Sequence, residues 1–166
     1  ETLEKDKNFP KRNRADLYHT KASLELIQKN DKDAILSLEK LITYKLPNQQ
    51  RARSEFVLGQ LYAEQEEYTK SSAHFKKSIS GKSNPEMDFY TKLNIAQNSA
   101  KSGGDKAYAI QLLEKIIKDP KFFKYQTQAY NVMALMFEEE NKDKAIAILR
   151  KSISKADPKN PFHKAN

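Results

Sequence analysis

The chain has 166 residues, of which 38% are hydrophobic, and carries a formal net charge of +8 at pH 7. That length is enough for one ordinary domain, and the longest apolar run, residues 132–137, is far shorter than the roughly 20 residues that a membrane-spanning helix needs. The absence of cysteine excludes a disulfide framework, thiolate metal ligands and a cysteine nucleophile. Few glycines and prolines among many Lys, Glu, Gln, Leu and Ala favour a soluble, all-helical protein.

The excess of positive charge is dispersed along the chain. Its 30 Lys and Arg residues are interspersed with 22 Asp and Glu, and only five of the basic residues are Arg. Binding to a polyanion requires clustered cations, whereas scattered Lys side chains are typical of solvated helix faces. The distribution therefore argues against nucleic acid as a partner.

In chain order, residues 1–12 are polar, contain Pro10 and show no periodicity. We expect a flexible leader there, or the end of a preceding element, and assign it no helix. The first residue is Glu rather than Met, which suggests a processed or trimmed start. From about residue 13 to 29, apolar residues recur at helical spacing and predict a first helix.

Four segments of nine residues align without gaps and predict the second helix of four hairpins. In each segment a small residue is followed by a large apolar residue four positions later, by Lys six later and by Ile eight later. Offsets of four and eight lie on one helical face, so we expect both apolar columns to be buried. The segments are AILSLEKLI from Ala34, SSAHFKKSI from Ser71, AIQLLEKII from Ala109 and AIAILRKSI from Ala145.

The first helix of each hairpin pairs an apolar residue with a small one, which lets a neighbouring helix approach closely. Prolines just past the second helices stop them from continuing. The sequence therefore predicts eight helices in four hairpins, at about 13–44, 49–80, 86–118 and 122–155, and a polar tail over 156–166. The apolar–small pairs are Ala22-Ser23, Leu58-Gly59, Ile95-Ala96 and Met133-Ala134, and the prolines are Pro47, Pro85, Pro120 and Pro158.

The stretch from residue 52 to 79 resembles the tetratricopeptide repeat (TPR). Leu58, Gly59 and Tyr62 match the pattern of the first TPR helix, and Phe75 matches that of the second. The resemblance implies an all-α fold, an α-solenoid of about four hairpins in a right-handed superhelix. It also implies a non-enzymatic scaffold that binds partner proteins or peptides.

A second resemblance covers residues 51–97. An Arg-Ala-Arg opening, an LGQLY core and an Asn-Pro-Glu-Met link precede a helix that ends in Asn-Ile-Ala. This run is similar to the TPR lipoproteins of the Bacteroidetes cell envelope, of the PorW or SprE type. The resemblance implies a periplasmic, outer-membrane-associated component of a type IX secretion and gliding machine, with secretion-machinery subunits as partners. The Cys that carries the lipid anchor of such proteins is absent from this chain.

Two other interpretations stay open, each in a different class. A cytosolic TPR co-chaperone or regulator would grip an acidic peptide tail, but only Asn94 matches the Lys and Asn pattern that such domains share. A cationic RNA-binding solenoid would use the Lys column of the second helices, whose stems we expect to cover the seam while the charges stay in water. That column is Lys40, Lys77, Lys115 and Lys151.

No motif predicts an enzyme, a cofactor or a metal site. The chain has neither a glycine-rich phosphate loop nor a nucleophile elbow. His19, His74 and His163 have no partner at metal-ligand spacing, so we expect surface or groove histidines. The three carboxylates of residues 138–140 point in different directions around a helix end and cannot form an acid–base pair by themselves.

The TPR resemblance places a binding groove on the inner face of the first helices. Such a lining would be apolar and amide-rich, which suits an extended or helical peptide. The alternative is that its aromatic and leucine members only fill the seams between hairpins. The candidate partner-binding residues are Arg53, Phe56, Gln60, Tyr90, Leu93, Gln97, Gln128, Asn131 and Leu135.

The end of the chain lacks the extra helix that commonly covers the last hairpin of a TPR array. Residues 155–166 contain two prolines and no apolar helical face. We therefore expect a longer array, in which Val132, Leu135 and Ile148 need a cover from further repeats, a second copy or the partner.

Overall fold

A computed structural model describes residues 2–79 and 84–155, and all regular structure in these residues is helical. The chain divides into two compact units, residues 1–82 and residues 83–166. Short 3-10 segments, Lys11–Asn13 and Pro120–Tyr125, precede the second and eighth helices. The helices of the first unit are α1 (Thr2–Lys5), α2 (Arg14–Ile27), α3 (Asp31–Ile42), α4 (Asn48–Glu64) and α5 (Tyr68–Ser78). Those of the second unit are α6 (Pro85–Lys101), α7 (Lys106–Lys118), α8 (Gln126–Leu135) and α9 (Lys142–Ser154).

Each unit contains two helical hairpins and an apolar core of its own. In the first unit α2 pairs with α3 and α4 with α5, while α4 also packs against α3. In the second unit α6 pairs with α7 and α8 with α9, while α8 also packs against α7. These hairpins occupy the ranges in which the repeats predict them, and the expected tail over 156–166 lies outside the described residues.

The start of the chain differs from the sequence prediction, because residues 2–5 form α1 where no element is expected. Two residues of α2 hold this segment. Lys21 Nζ lies 2.9 Å from Glu4 Oε1, and the Arg14 guanidinium donates to the Glu4 and Asp6 carbonyl oxygens. Tertiary contacts between charged and polar groups leave no periodic signal in a sequence, so the sequence pattern does not predict α1.

Three of the four hairpins turn through one residue in the left-handed conformation. These residues are Lys29, Glu66 and Gly103, with φ of 58°, 60° and 67°. A residue of positive φ just past a helix end satisfies the last free carbonyls. Only Gly103 adopts this conformation without crowding a Cβ, so two of the three turns carry modest strain.

The buried face of the second helices is rotated from the predicted one. The sequence predicts a buried Ile column, but Ile79 and Ile153 are exposed and Ile42 and Ile117 are only half-buried. In an α-helix, the side chain seven residues later points within about 20° of the first one, whereas the side chain eight residues later points about 80° away from it. The buried column therefore lies one residue earlier, at Leu41, Ser78, Ile116 and Ser152.

A close contact between Gly59 and Phe75 joins α4 to α5. A Cβ added at residue 59 would lie 2.7 Å from the Phe75 ring, and that ring is fully buried. The other hairpins carry Ser or Ala in the place of Gly59 and Leu in the place of Phe75. The smaller residue on one helix therefore makes room for the larger one on its partner.

We expect Gly59→Ala to destabilise the chain by about 1–3 kcal/mol, because overpacking exceeds the gain in helix propensity of about 1 kcal/mol. Phe75→Leu in the same chain makes room for the new methyl group. Urea unfolding of both single variants and the double variant should therefore give a coupling energy of about 1 kcal/mol or more. Strictly additive effects would contradict a steric origin.

A buried carboxylate ties α6 to the 3-10 segment before α8. Lys92 Nζ lies 3.2 Å from Asp88 Oδ1, and Lys121 Nζ lies 2.6 Å from Oδ2. Both ammonium groups also lie over the buried Phe122 ring, at 4.8 and 5.2 Å from its centroid. Burial opposes ionisation of Asp88, but hydrogen bonds from Lys121 and Lys92 outweigh it and lower the pKa of the carboxyl.

This ion pair should make stability depend on pH. Because the folded-state pKa of Asp88 is below the unfolded value of about 3.9, the stabilisation is present above that value and is lost as pH falls through the folded-state pKa. We expect Asp88→Asn to lower the free energy of unfolding by about 2 kcal/mol at pH 7 and by less at pH 3. Glu139→Gln, at an exposed carboxylate of the same unit, is the control. A loss of equal size at both pH values would disprove the assignment.

Candidate functional site

An open groove of about 400 Å³ lies between α2 and α4 in the first unit. Its walls combine apolar side chains with one amide, two hydroxyls and two basic side chains. Neither Arg53 nor His19 has an ion-pair partner among the residues that the structure describes. The lining residues are His19, Ala22, Ser23, Leu26, Leu38, Gln50, Arg53, Ser54 and Val57.

The two arginines at the start of α4 have different roles. Arg51 donates to the carbonyl oxygens of Ile42 and Tyr44, at 2.9 and 2.7 Å, and so satisfies the C-terminal end of α3. Arg53 is two residues later on the helix and points into the groove, where it is exposed. The free guanidinium can donate two parallel hydrogen bonds to a carboxylate or to peptide carbonyls.

The candidate partner-binding residues are divided between the two units, and they differ in exposure. Arg53, Phe56 and Gln60 lie in the first unit and the other six in the second. Arg53 and Gln60 are exposed, and Gln97 and Gln128 are half-buried. Asn131 and Leu135 line a cleft in the second unit.

Three of the candidates pack against core side chains and line neither the α2–α4 groove nor the cleft of the second unit. The Phe56 ring meets the buried Phe75 edge-on, with centroids 5.4 Å apart. Leu93 is buried in the core of the second unit, and Tyr90 packs on that core beside Phe89. The alternative, in which these side chains fill the seams between hairpins, stays a prediction, since the Phe56–Phe75 contact lies within the α4–α5 hairpin.

The second cavity is a cleft of about 660 Å³ between α8 and α9. Leu135, Ile146 and Leu149 line it and are 64%, 48% and 41% exposed. Of the residues expected to need a cover, Leu135 is open, but Val132 and Ile148 are buried in the core. The sequence prediction that Leu149 is buried with its column is therefore wrong, because no described helix packs over it. Ile146 was not singled out, because its column is buried or half-buried in the other hairpins.

A polar network joins α3, α4 and α5, and it corrects the expectation for His74. His74 Nδ1 lies 2.7 Å from Glu55 Oε2 and its ring stacks on Tyr62, so the side chain is mostly buried instead of lying at the surface or in a groove. The Tyr62 hydroxyl donates to Glu39 at 2.5 Å. Burial and this hydrogen bond raise the pKa of Tyr62.

A histidine held by a carboxylate also occurs in general-base catalysis. Here, however, none of the four network residues lines either of the two cavities. Glu55 is 19 residues from His74, so no local spacing could have revealed the pair. His19 is exposed in the α2–α4 groove, and His163 lies outside the described residues.

Within residues 2–79 and 84–155, no three acidic or histidine side chains lie close enough together to hold a metal ion. In the same residues, no helix is long and apolar enough to cross a membrane. The four Lys of the repeated column are all exposed, as the solvated reading expects.

Comparison with known proteins identifies a fold and no family. No protein-family model and no curated protein matches the sequence. Among solved structures, the chain is similar to the crystal structure of MamA, a TPR-like protein, with a TM-score of 0.67 and 18% identity over 87% of this chain and 80% of that chain. The fold is of the TPR type. The prediction of an all-α fold of TPR-like hairpins is thereby confirmed, whereas the resemblance to lipoproteins of the PorW or SprE type receives no support.

The burial of Phe56 predicts a stability defect. We expect Phe56→Ala to lower the free energy of unfolding by about 2 kcal/mol, because it removes a half-buried ring and its edge-on contact with Phe75. Phe123→Ala, at a phenylalanine that is 60% exposed, is the matched control and should change the melting curve little. Equal melting of the two variants would show that Phe56 is not a core residue.

Proposed function

We propose that this chain is a non-enzymatic scaffold that binds a segment of a partner protein in the α2–α4 groove. The observation that carries the proposal is the groove itself, an open cavity of about 400 Å³ between the first helices of two TPR-type hairpins. Apolar side chains such as Leu26 and Val57 can hold a hydrophobic anchor of the partner. The Gln50 amide and the Arg53 guanidinium can satisfy its backbone carbonyls.

The charge of the groove favours a partner segment with an acidic residue. Arg53 and His19 both face the cavity, and no acidic side chain is among its lining residues. A carboxylate of the partner would form a charge-assisted bond with Arg53. The +8 net charge of the chain adds a long-range attraction that salt would weaken.

A narrower version of the proposal places this scaffold in the periplasm, as an adaptor of a type IX secretion and gliding machine. Its support is the run of motifs in residues 51–97. The likeness to MamA bears on the fold alone, because the identity is 18%. The acidic segment that Arg53 favours would also suit the co-chaperone alternative, but only Asn94 matches the residue pattern of such domains. No contact in the described residues favours the RNA-binding alternative.

The proposal is tested by affinity capture with the whole chain as bait, followed by mass spectrometry of the retained proteins. We expect Arg53→Glu to weaken retention of the main partner at least tenfold, which corresponds to about 1.4 kcal/mol. The charge-matched control is Arg12→Glu, at an exposed arginine outside the groove, which should retain the partner normally. Equal retention by the two variants, or recovery of nucleic acid without protein, would refute the proposal.

A further inference from the structure

The α2–α4 groove changes in chemical character along its length. Two short connections reverse the chain between α2 and α4, so the two helices run in the same direction. Each lines the groove with residues at i, i+3, i+4 and i+7, which lie on one helical face. At the end nearer the N-termini the lining residues are His19 and Gln50, whereas at the other end they are Leu26 and Val57. A ligand therefore meets a polar half and an apolar half in a fixed order.

The polar half offers a receptor for one carboxylate. A side chain on a helix points towards the N-terminus of that helix, which brings the Arg53 guanidinium towards the level of His19. The hydroxyls of Ser23 and Ser54 donate to carbonyl oxygens of their own helices, at 2.9 and 3.0 Å. Arg53 can donate two parallel hydrogen bonds to a carboxylate, and the His19 ring carries an N–H donor in either protonation state.

We propose that this groove recognises a short extended segment in which an Asp or Glu side chain stands two residues from an aliphatic one. The inference rests on the scaffold function proposed above and names the class of sequence that the groove selects. Arg53 and Val57 are four residues apart on α4, about 6 Å along the helix axis. Side chains on one face of an extended chain recur every second residue, at about 6.6 Å, so one face of the segment reaches both halves of the groove.

The size of the groove favours an extended segment over a helix. A volume of about 400 Å³ lies near the lower end of the range for small-molecule sites, whereas a helix with its side chains is about 10 Å across. An extended segment also leaves backbone groups free, which the half-buried Gln50 amide can bond. A phosphorylated segment fits less well, because phosphate sites use clusters of arginine and Arg53 is the single arginine of the lining.

The expected carboxylate belongs to a side chain and not to the end of a chain. The Lys and Asn pattern with which TPR domains grip a chain terminus is represented here by Asn94 alone. Asn94 lies in the second unit, outside the groove, and its amide donates to the Tyr90 carbonyl at 2.7 Å. The lining residues of the groove provide no equivalent of that pattern.

The first test selects random dodecapeptides, fused through their C-termini to a phage coat protein, on the immobilised full chain. We expect enrichment of sequences with Asp or Glu two residues from Leu, Ile, Val or Met. Selection on the Arg53→Glu chain should lose this enrichment. The Arg12→Glu chain, changed at an exposed arginine outside the groove, should keep it. No enrichment, or enrichment of a different spacing, would overturn the inference.

The second test measures each part of the motif with fluorescein-labelled synthetic versions of an enriched peptide. Moving the aliphatic residue by one position should raise the Kd at least tenfold, and so should Arg53→Glu in the chain. Replacing the acidic residue of the peptide with Lys should restore binding to the Arg53→Glu chain. An unchanged Kd after the one-residue move would contradict the spacing. Loss of binding when the peptide C-terminus is amidated would assign the carboxylate to the chain end and overturn the inference.

Retention of the native partner separates this inference from the scaffold proposal. Because Arg53 is exposed, the Arg53→Glu chain should melt like the unmodified chain. If Arg53→Glu lowers retention of the native partner while peptides show no preference for spacing, the scaffold proposal stands and the motif is wrong. If retention is also insensitive to Arg53→Glu, the groove itself is refuted as the binding surface.

Discussion

Each helical hairpin of this chain buries one side within itself and presents a second side that only a further helix can cover. That constraint follows from the two-helix geometry, since a pair of amphipathic helices cannot enclose both of its apolar faces. Leu38 is buried where α4 packs against α3, and Leu113 is buried where α8 packs against α7. No described helix packs over the cleft between α8 and α9, and Leu135, Ile146 and Leu149 are exposed there. Phe75, the equivalent residue of α5, is also fully buried, because its ring packs against Gly59 within its own hairpin.

Within each hairpin, the size of a small residue on the first helix matches that of a large residue facing it on the second, which the hydrophobic pattern alone does not specify. Gly59 and Phe75 form one such pair. In the other hairpins a larger residue, Ser or Ala, takes the place of Gly59, and a smaller one, Leu, takes the place of Phe75. Polar groups then fix the register of neighbouring elements. Ser71 donates to the Gly59 carbonyl at 2.6 Å, beside the point of closest approach. Asp88 holds two lysines over one phenylalanine ring and ties α6 to the segment before α8.

The two cavities differ in the chemistry of their walls. The α2–α4 groove is mixed in character, with Arg53 free to meet a carboxylate or carbonyl group. The α8–α9 cleft is largely apolar and resembles the surface on which the chain seats its own helices. Because the two surfaces differ in chemistry, a partner segment that suits one would gain little from the other.

The sequence by itself determined the repeat, the four hairpins and the helix type, because periodicity and small–large pairing are local properties. Of the residues that it assigned to one binding groove, Arg53 lines one cavity and Asn131 and Leu135 line another, and their role in binding stays a prediction. Only the tertiary structure decided that Leu93 is buried, that His74 pairs with a glutamate 19 residues away, and that the buried column is one residue earlier than predicted. Helical spacing fixes which side chains share a face. Whether that face is covered depends on which other helix packs against it, and that is a property of the assembled unit.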